Sequence, residues 1–353
     1  MGLMVSEKLP DHFMIGEIQV DRIAHHDLEA WHFAVDRLGL KGIDIFTGPR
    51  PSIGGIRWIN GTSRDQAFTT VSGLALAMAE KSAQAGLPLD GVKMFVYAGE
   101  KSPDALRRVG EFIEFWQGRH IASVDMGTKL ADMQIVRETT QYVSTVNPSP
   151  YTARGVASAM RTCTKLYGTK PSDLRVFVSG VCGEVGFSLA QELIRDGMQV
   201  LGNDITQDED RIAAVKGLGV EFFSESRLPL PEEKVHVYAP CAGGGVLNRT
   251  TIPLLRQAGI WLVNGSANCQ LAAGRSSAEH MHILGIDWAK DDVTNRGGLL
   301  AVAHEFSLVT DMEGKINETG QIVFDLIELS HELDRPVSDV AREYFAKHIK
   351  DAA

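Results

Sequence analysis

Three ionisable side chains stand where an α/β protein can put them to chemical use. Lys81 falls late in an apolar helical stretch, and Lys93 follows it by twelve residues, opening a strand after a glycine turn in EKSAQAGLPLDGVKMFVYAG. Asp125 ends the short apolar run of HIASVDMGTKLADM. Two ammonium groups held near each other away from water push one pKa toward neutrality. One lysine then serves as a general base while the other stays charged and binds a carboxylate. Taken without context, the pair also reads as two solvated surface lysines, because lysine is mostly exposed. A carboxylate at the C-terminal end of a strand points into the ligand crevice of an α/β domain, so Asp125 could shuttle protons to and from an amine. Its other local role is to cap the helix that begins near Lys129.

A second constellation lies between Leu174 and Asp204, in LRVFVSGVCGEVGFSLAQELIRDGMQVLGND. An apolar strand runs into a glycine turn, then an amphipathic helix, then a second strand that ends in an acid. Glycines at such a turn let the backbone approach a pyrophosphate, and the helix N-terminus offers free N–H groups. The candidate cofactor-binding residues here are Gly180, Gly183, Glu184, Val185, Gly186 and Asp204. Gly183 to Asp204 spans 21 positions, against the roughly 20 expected for an acid that reads the ribose hydroxyls. The first glycine of GxGxxG is absent, since position 181 is Val181. Either the turn holds an extra residue or Gly180 takes that role, and a plain strand–helix turn that binds nothing is the other reading. Asp204 repels a 2′-phosphate and no Arg or Lys follows until Arg211, so NAD is expected rather than NADP.

The elements that would hold these residues alternate along the chain. Strand-like runs occur at 41–46, 92–99, 174–180, 198–204 and 235–241, with helical stretches at 70–86, 103–116 and 186–196 between them. Such alternation predicts α/β architecture with mostly parallel sheets. The best boundary is VNPSPYTARG, 146–155, where two prolines break any preceding helix and Ser149 or Thr152 can cap the next. A chain of 353 residues is expected to form two domains, here an N-terminal α/β substrate domain and a Rossmann-type doubly wound dinucleotide-binding domain, with a cleft where they meet.

Together these residues resemble the glutamate/leucine/phenylalanine/valine dehydrogenase family, in motif order along nearly the whole chain. GPRPSIGGIRW, with Gly54, Gly55 and Arg57, is similar to the glycine-rich substrate segment. AGLPLDGVK is similar to the segment ending in the catalytic lysine, and VDMGT to the catalytic aspartate motif. NPSPYTARG resembles the hinge whose threonine, here Thr152, reaches the nicotinamide. APCAGGGVLN, with Cys241 and Ala242, and NGSANCQL, with Asn268, resemble cofactor-edge loops. VTNRGGLLAV resembles the NAGG motif, with its asparagine at Asn295.

The resemblance implies NAD-dependent interconversion of an L-amino acid with its 2-oxo acid and ammonia, by hydride transfer from Cα to nicotinamide. Lys93 and Asp125 would be catalytic, the first activating water and the second handling protons on the amine. Lys81, Gly54, Gly55 and Asn295 would bind substrate, while Thr152, Asn268 and Asn295 would fix the nicotinamide. It also implies residues 1–148 plus 332–353 as the substrate and oligomerisation domain, 149–331 as the NAD domain, and a homo-oligomer built with help from the C-terminal helix.

Three segments depart from the family pattern. GGGK is here Asp90-Gly91-Val92-Lys93, which puts a carboxylate where it would raise the lysine pKa if it faced the site. The nucleotide turn lacks its first glycine. Asn264, Ser266 and Cys269 replace small residues and a second asparagine in the cofactor-edge loop. The side-chain pocket is expected at Ile53, Ser123, Gly320 and Val323, with Gly320 leaving space for a bulky or aromatic substrate. Two rival functions remain: a reductive aminase on a substrate without a carboxylate, in which Lys81 loses its partner, and a non-catalytic NAD-binding homologue.

Bulk properties narrow the field. The net charge of −10 comes without a Lys/Arg cluster, which argues against a nucleic-acid surface. Four scattered cysteines lack CxxC spacing and suit a reducing compartment. No run of 18 apolar residues and no apolar leader in MGLMVSEKLPDHF are seen, so neither a membrane span nor a secretory signal is expected and the protein reads as cytoplasmic. His25 with His26, and His280 with His282, lack a third ligand, so no metal is expected.

Overall fold

A computed structural model describes residues 10–25 and 28–351, with side chains described to residue 346. Residues 1–9, 26 and 27, which include His26 and most of MGLMVSEKLPDHF, lie outside the described residues. The chain divides into two compact units. The first takes the chain to Asn147 and Val302–Val309, and the second takes Pro148–Ala301 and the chain from Thr310 onward.

In the first unit, β1 (His12–Ile15), β2 (Ile18–His25), β3 (Leu28–Val35) and β4 (Leu40–Phe46) run antiparallel as a meander. Then come β5 (Ser52–Trp58), α1 (Arg64–Gln84), β6 (Asp90–Ala98), α2 (Pro103–Phe115), β7 (His120–Val124) and α3 (Leu130–Val136). The seven-stranded sheet has the order β1-β2-β3-β4-β6-β5-β7, and only β5 pairs in parallel, with β6 and β7. The expectation of mostly parallel sheets therefore fails here. The meander was hidden because β2, IQVDRIAH, mixes buried apolar with exposed polar positions and carries no continuous apolar run.

Ser63 starts α1 with a reciprocal capping box: its hydroxyl accepts from the Gln66 N–H, and Gln66 accepts from the Ser63 N–H. The helix covers one sheet face with Ala67, Val71 and Ala75 against Ile43, Ile45, Phe95 and Tyr97. On the other face α2 packs Val109, Phe112 and Ile113 onto Val92, Met94 and Val96. Alternate residues of β6 thus serve opposite layers. Gly91 lets α1 come close to β6: a Cβ there would lie 2.1 Å from the Ala75 carbonyl oxygen and 2.4 Å from the Ala79 nitrogen.

The second unit opens with α4 (Ser149–Cys163). There follow β8 (Arg175–Ser179), α5 (Glu184–Arg195), β9 (Gln199–Asn203), α6 (Glu209–Gly217), β10 (Glu221–Phe223) and β11 (Val237–Pro240). Next are α7 (Thr251–Gln257), β12 (Leu262–Val263), α8 (Arg275–Ile283), β13 (Asp287–Trp288), α9 (Asp291–Thr294), α10 (Gly297–Glu305), whose residues from Val302 on count with the first unit, α11 (Met312–Leu333) and α12 (Val337–Asp351). The six strands are parallel in the order β10-β9-β8-β11-β12-β13. Numbered within the unit this is 3-2-1-4-5-6, the doubly wound dinucleotide-binding order, with its switch point between β8 and β11.

The C-terminal segment corrects one expectation. Residues 332–353 were assigned to the first domain, but α12 belongs to the second unit. Val337, Val340, Ala341 and Phe345 enter that unit's hydrophobic core, and Arg275 at the start of α8 holds Asp339 at 2.9 Å. Amphipathicity showed that the helix has a core side but carried no information about which core it joins.

Candidate active site

Lys93 lies on the α1 side of β6, 6% exposed, with its Nζ 2.8 Å from Asp125 Oδ2. The Arg57 Nε donates to the same oxygen at 2.8 Å. Period-two geometry explains this convergence. Gly55 and Arg57 share one face of β5, while Ile56 and Trp58 turn into the α2-side core. Gly55 makes the room: a Cβ there would lie 2.7 Å from the Asp125 Cβ and 3.1 Å from Lys93 Nζ. Gly54 does a different job, because its missing side chain admits the Val92 carbonyl of the neighbouring strand.

Asp125 begins a tight turn. Its carbonyl accepts from the Thr128 N–H at 3.0 Å, its N–H donates to the Thr128 hydroxyl oxygen at 3.0 Å, and that hydroxyl reaches the Ile56 carbonyl at 3.0 Å. Gly127, at φ +82°, lies against the Trp58 carbonyl where no side chain fits. The capping role considered for Asp125 belongs elsewhere, since α3 starts at Leu130 with Lys129 as its N-cap, whose N–H is held by Asp132.

The electrostatics follow from burial and from the triad itself. Burial lowers the Lys93 pKa, the Asp125 carboxylate opposes this, and Arg57 adds to the lowering. For Asp125, burial alone would raise the carboxyl, but Lys93 and Arg57 outweigh it and hold the group below the ordinary carboxylate value. The cation acting on Lys93 is therefore Arg57, where the sequence suggested Lys81. Lys81 is half-buried in the last turn of α1, the helix that crosses β6 at Gly91.

The second unit gathers its predicted residues at the C-terminal ends of β8 and β11. Gly180 has φ +81°, and its carbonyl accepts from the Gly183 N–H at 3.1 Å. This left-handed backbone is the conformation the motif's first glycine needs, while Val181 turns fully into the core. Gly183 caps α5, and Glu184, Val185 and Gly186 form the first turn, whose amides have no intrahelical acceptor. Gly186 is obligatory, because a Cβ would meet the Gly180 carbonyl oxygen at 2.1 Å. Asp204 Oδ2 accepts from the Cys182 N–H at 3.1 Å and Oδ1 from the Thr206 N–H at 3.0 Å. Ala242, after Cys241, fills the space beside Gly180.

Near the same strand ends, Asn295 Nδ2 donates to Asn268 Oδ1 at 2.8 Å and to the Ser266 carbonyl at 3.0 Å. Its Oδ1 is buried without a hydrogen-bond partner among the described residues. Thr152 sits in the first turn of α4, its hydroxyl on the Pro148 carbonyl, and a Cβ on Gly298 would lie 2.7 Å from that hydroxyl oxygen. These residues fit a dinucleotide: a glycine cradle at a helix N-terminus, a carboxylate after the second strand, and an unsatisfied carboxamide oxygen on a residue expected at the nicotinamide.

No family model matches the chain. Leucine dehydrogenase of Bacillus cereus is 33% identical over 299 residues, covering 79% of this chain and 79% of its own length. The chain belongs to the glutamate/leucine/phenylalanine/valine dehydrogenase family. Valine dehydrogenase of Streptomyces coelicolor is 31% identical over 282 residues, 76% of either chain. Among solved structures, L-tryptophan dehydrogenase from Nostoc punctiforme aligns with a TM-score of 0.73 at 25% identity, over 89% of this chain and 93% of that one. The protein is thus an amino acid dehydrogenase, an oxidoreductase acting on CH–NH2 donors with a pyridine nucleotide.

The dehydrogenase's departures from its family have structural causes. Asp90 faces away from Lys93, where the Arg50 N–H, Nε and Nη2 donate to it at 2.8, 3.1 and 2.8 Å. Asn264 is fully buried: its Nδ2 donates to the Val156 carbonyl at 3.0 Å and its Oδ1 accepts from the Thr294 hydroxyl at 2.7 Å. Arg296, replacing the alanine of NAGG, is 2% exposed, with Nε on the Thr319 hydroxyl oxygen and Nη2 on the Lys315 carbonyl.

The expected specificity pocket needs correction. Gly320 leaves no vacancy, because α4 packs directly on it: a Cβ would meet Thr162 Oγ1 at 2.4 Å and the Ser158 carbonyl oxygen at 2.6 Å. Val323 is fully buried in the second unit's core. Neither lines a substrate pocket. Arg57 was missed as a site residue, although its place two residues after Gly55 put it on the same strand face.

Proposed function

We propose that this dehydrogenase uses NAD to deaminate an L-amino acid with an apolar or aromatic side chain, giving the 2-oxo acid and ammonia, and runs the reverse amination. The observation that carries this is the buried Lys93–Asp125 pair, 2.8 Å apart beside Gly55. The preference for such side chains rests on the leucine, valine and tryptophan dehydrogenases it is similar to.

In this reading Lys81 and the backbone at Gly54 and Gly55 hold the substrate carboxylate. Asp125 accepts a proton from the substrate ammonium, leaving a neutral amine whose lone pair assists departure of the Cα hydride. Gly180, Gly183, Gly186 and Asp204 would hold the nucleotide, which would supply the hydride acceptor. Neutral Lys93 then takes a proton from water as its oxygen attacks the iminium carbon. Collapse of the resulting carbinolamine breaks the C–N bond and forms the C=O bond: Asp125 returns a proton to the leaving ammonia, and the carbinolamine hydroxyl gives its proton to solvent water. A lowered pKa suits Lys93 to this work, since a base must be unprotonated at the working pH.

NAD over NADP is supported by the Asp204 carboxylate, which would repel a 2′-phosphate, and by Arg211, which is already engaged with Glu184. Exposed Ile205, next to Asp204, offers an apolar surface suited to an adenine. Family membership supports a homo-oligomer in the cytoplasm acting on small molecules, and light scattering would measure its mass. Asp90 and Val92, which depart from the family's GGGK, serve the Arg50 pair and the core and lend a non-catalytic reading no support.

The test is NADH formation across the twenty L-amino acids at alkaline pH, with NADP in parallel. Turnover confined to apolar or aromatic substrates with NAD is expected. NADH binding without turnover of any amino acid would overturn the proposal.

A further inference from the structure

Arg57 and Lys93 reach Asp125 from different strands and donate to the same oxygen, Oδ2, each at 2.8 Å. The other oxygen, Oδ1, accepts no hydrogen bond from the described residues, and the Asp125 side chain keeps 21% of its surface open. A carboxylate bonded to lysine alone would form a tight one-to-one pair that keeps the ammonium protonated. Sharing Oδ2 with a permanently charged guanidinium weakens the carboxylate's hold on Lys93 and adds a like charge beside it. It also fixes the carboxylate in the orientation that leaves Oδ1 free.

We infer that Arg57 is a positioning residue for proton transfer: it keeps Lys93 available as a base and presents Asp125 Oδ1 to the substrate amine. This rests on the deamination reading above.

Other charges around Lys93 do not supply this effect. On β4 its neighbour is Ile45, and Asp44 lies on the opposite face with His120. Along its own face of β6 come Phe95 and then Tyr97, whose hydroxyl pairs with His32. The last turns of α1 carry Glu80 and Lys81. Among the described residues the charges that act on the Lys93 ammonium are Asp125 and Arg57, and Asp125 meets Lys93 beside Gly55.

The experiment compares wild type with Arg57→Gln and Arg57→Lys in pH profiles of kcat/KM for deamination. In Arg57→Gln the limb that rises with pH should move to higher pH, lowering the rate about tenfold near neutrality and much less at alkaline pH. Arg57→Lys, which keeps the charge but not the planar Nε geometry, should fall between the two. A loss that is uniform across pH, with the limb unmoved in both variants, would overturn the inference. If Arg57→Gln fails to fold, the Arg57→Lys limb decides: unmoved, it contradicts.

Trace labelling of lysines with acetic anhydride across pH, read by peptide mass spectrometry, follows Lys93 without any turnover. A higher midpoint at Lys93 in the variants supports the inference, and an unchanged one overturns it. An inactive wild type whose Lys93 midpoint still responds to Arg57 would instead count against the deamination reading.

Discussion

Asp90 and Lys93 lie three residues apart on one strand and face opposite sides of the sheet, Asp90 toward Arg50 and Lys93 toward Asp125. The pleat alone separates them, since successive side chains alternate. A carboxylate that looks in sequence like a threat to the catalytic base instead anchors the loop before β5. Asp90→Gly is therefore expected to leave the pH profile of deamination in place. It should cost about 1–3 kcal/mol of stability through the lost bonds to Arg50. Urea unfolding beside a kcat/KM profile checks both, and a shifted profile would contradict the facing assigned to Asp90.

Gly55 is the position where added volume harms chemistry most directly. Gly55→Ala places a methyl 2.7 Å from the Asp125 Cβ and 3.1 Å from Lys93 Nζ. Displacing the pair by a fraction of an ångström is expected to lower kcat/KM about 100-fold. The accompanying stability loss should be roughly 1–3 kcal/mol. Steady-state kinetics and thermal melts separate the two effects, and wild-type kinetics in a folded variant would count against the cluster.

Asp204→Asn keeps the size of the side chain and removes its charge. The amide can still accept from one of the Cys182 and Thr206 amides, so the turn should persist. Loss of repulsion toward a 2′-phosphate should raise the NADP/NAD ratio of kcat/KM about tenfold, roughly 1.4 kcal/mol. An unchanged ratio in a variant that still binds NADH would show that Asp204 does not discriminate.

Asp125 ties stability to pH. Its folded pKa lies below the ordinary 3.8 because Lys93 and Arg57 outweigh burial. In the window between those two values the unfolded chain binds the proton and the folded one does not. The contribution is thus complete above pH 3.8 and lost as pH falls toward the folded value. Urea midpoints measured down through this range should fall more steeply for wild type than for Asp125→Asn. Parallel slopes would contradict the lowered pKa.

The second unit was the more legible half, and the reason is local. Its turn, helix and acidic residue sit within one strand–helix–strand unit, so spacing alone reports them. Gly180 could be matched to its role only in part, because nothing in sequence shows that Val181 turns into the core. In the first unit Lys93 and Asp125 were identifiable by type and strand position, but their partner Arg57 required knowing that β5 lies between β6 and β7. Gly320 misled for the same reason: a glycine on a helix signals a close neighbour as readily as an empty pocket, and α4 is that neighbour. Arg296 carries no local sign that its guanidinium is buried on α11.

The most direct test of the central claim is NADH formation by wild type and Lys93→Ala on the best apolar or aromatic L-amino acid, with NADH binding measured on both. The account predicts turnover by wild type and a loss of about 10²–10⁴-fold in the variant, with NADH binding intact because the nucleotide residues lie in the other unit. Lys93→Ala deaminating at the wild-type rate would contradict the assignment of Lys93 as the base.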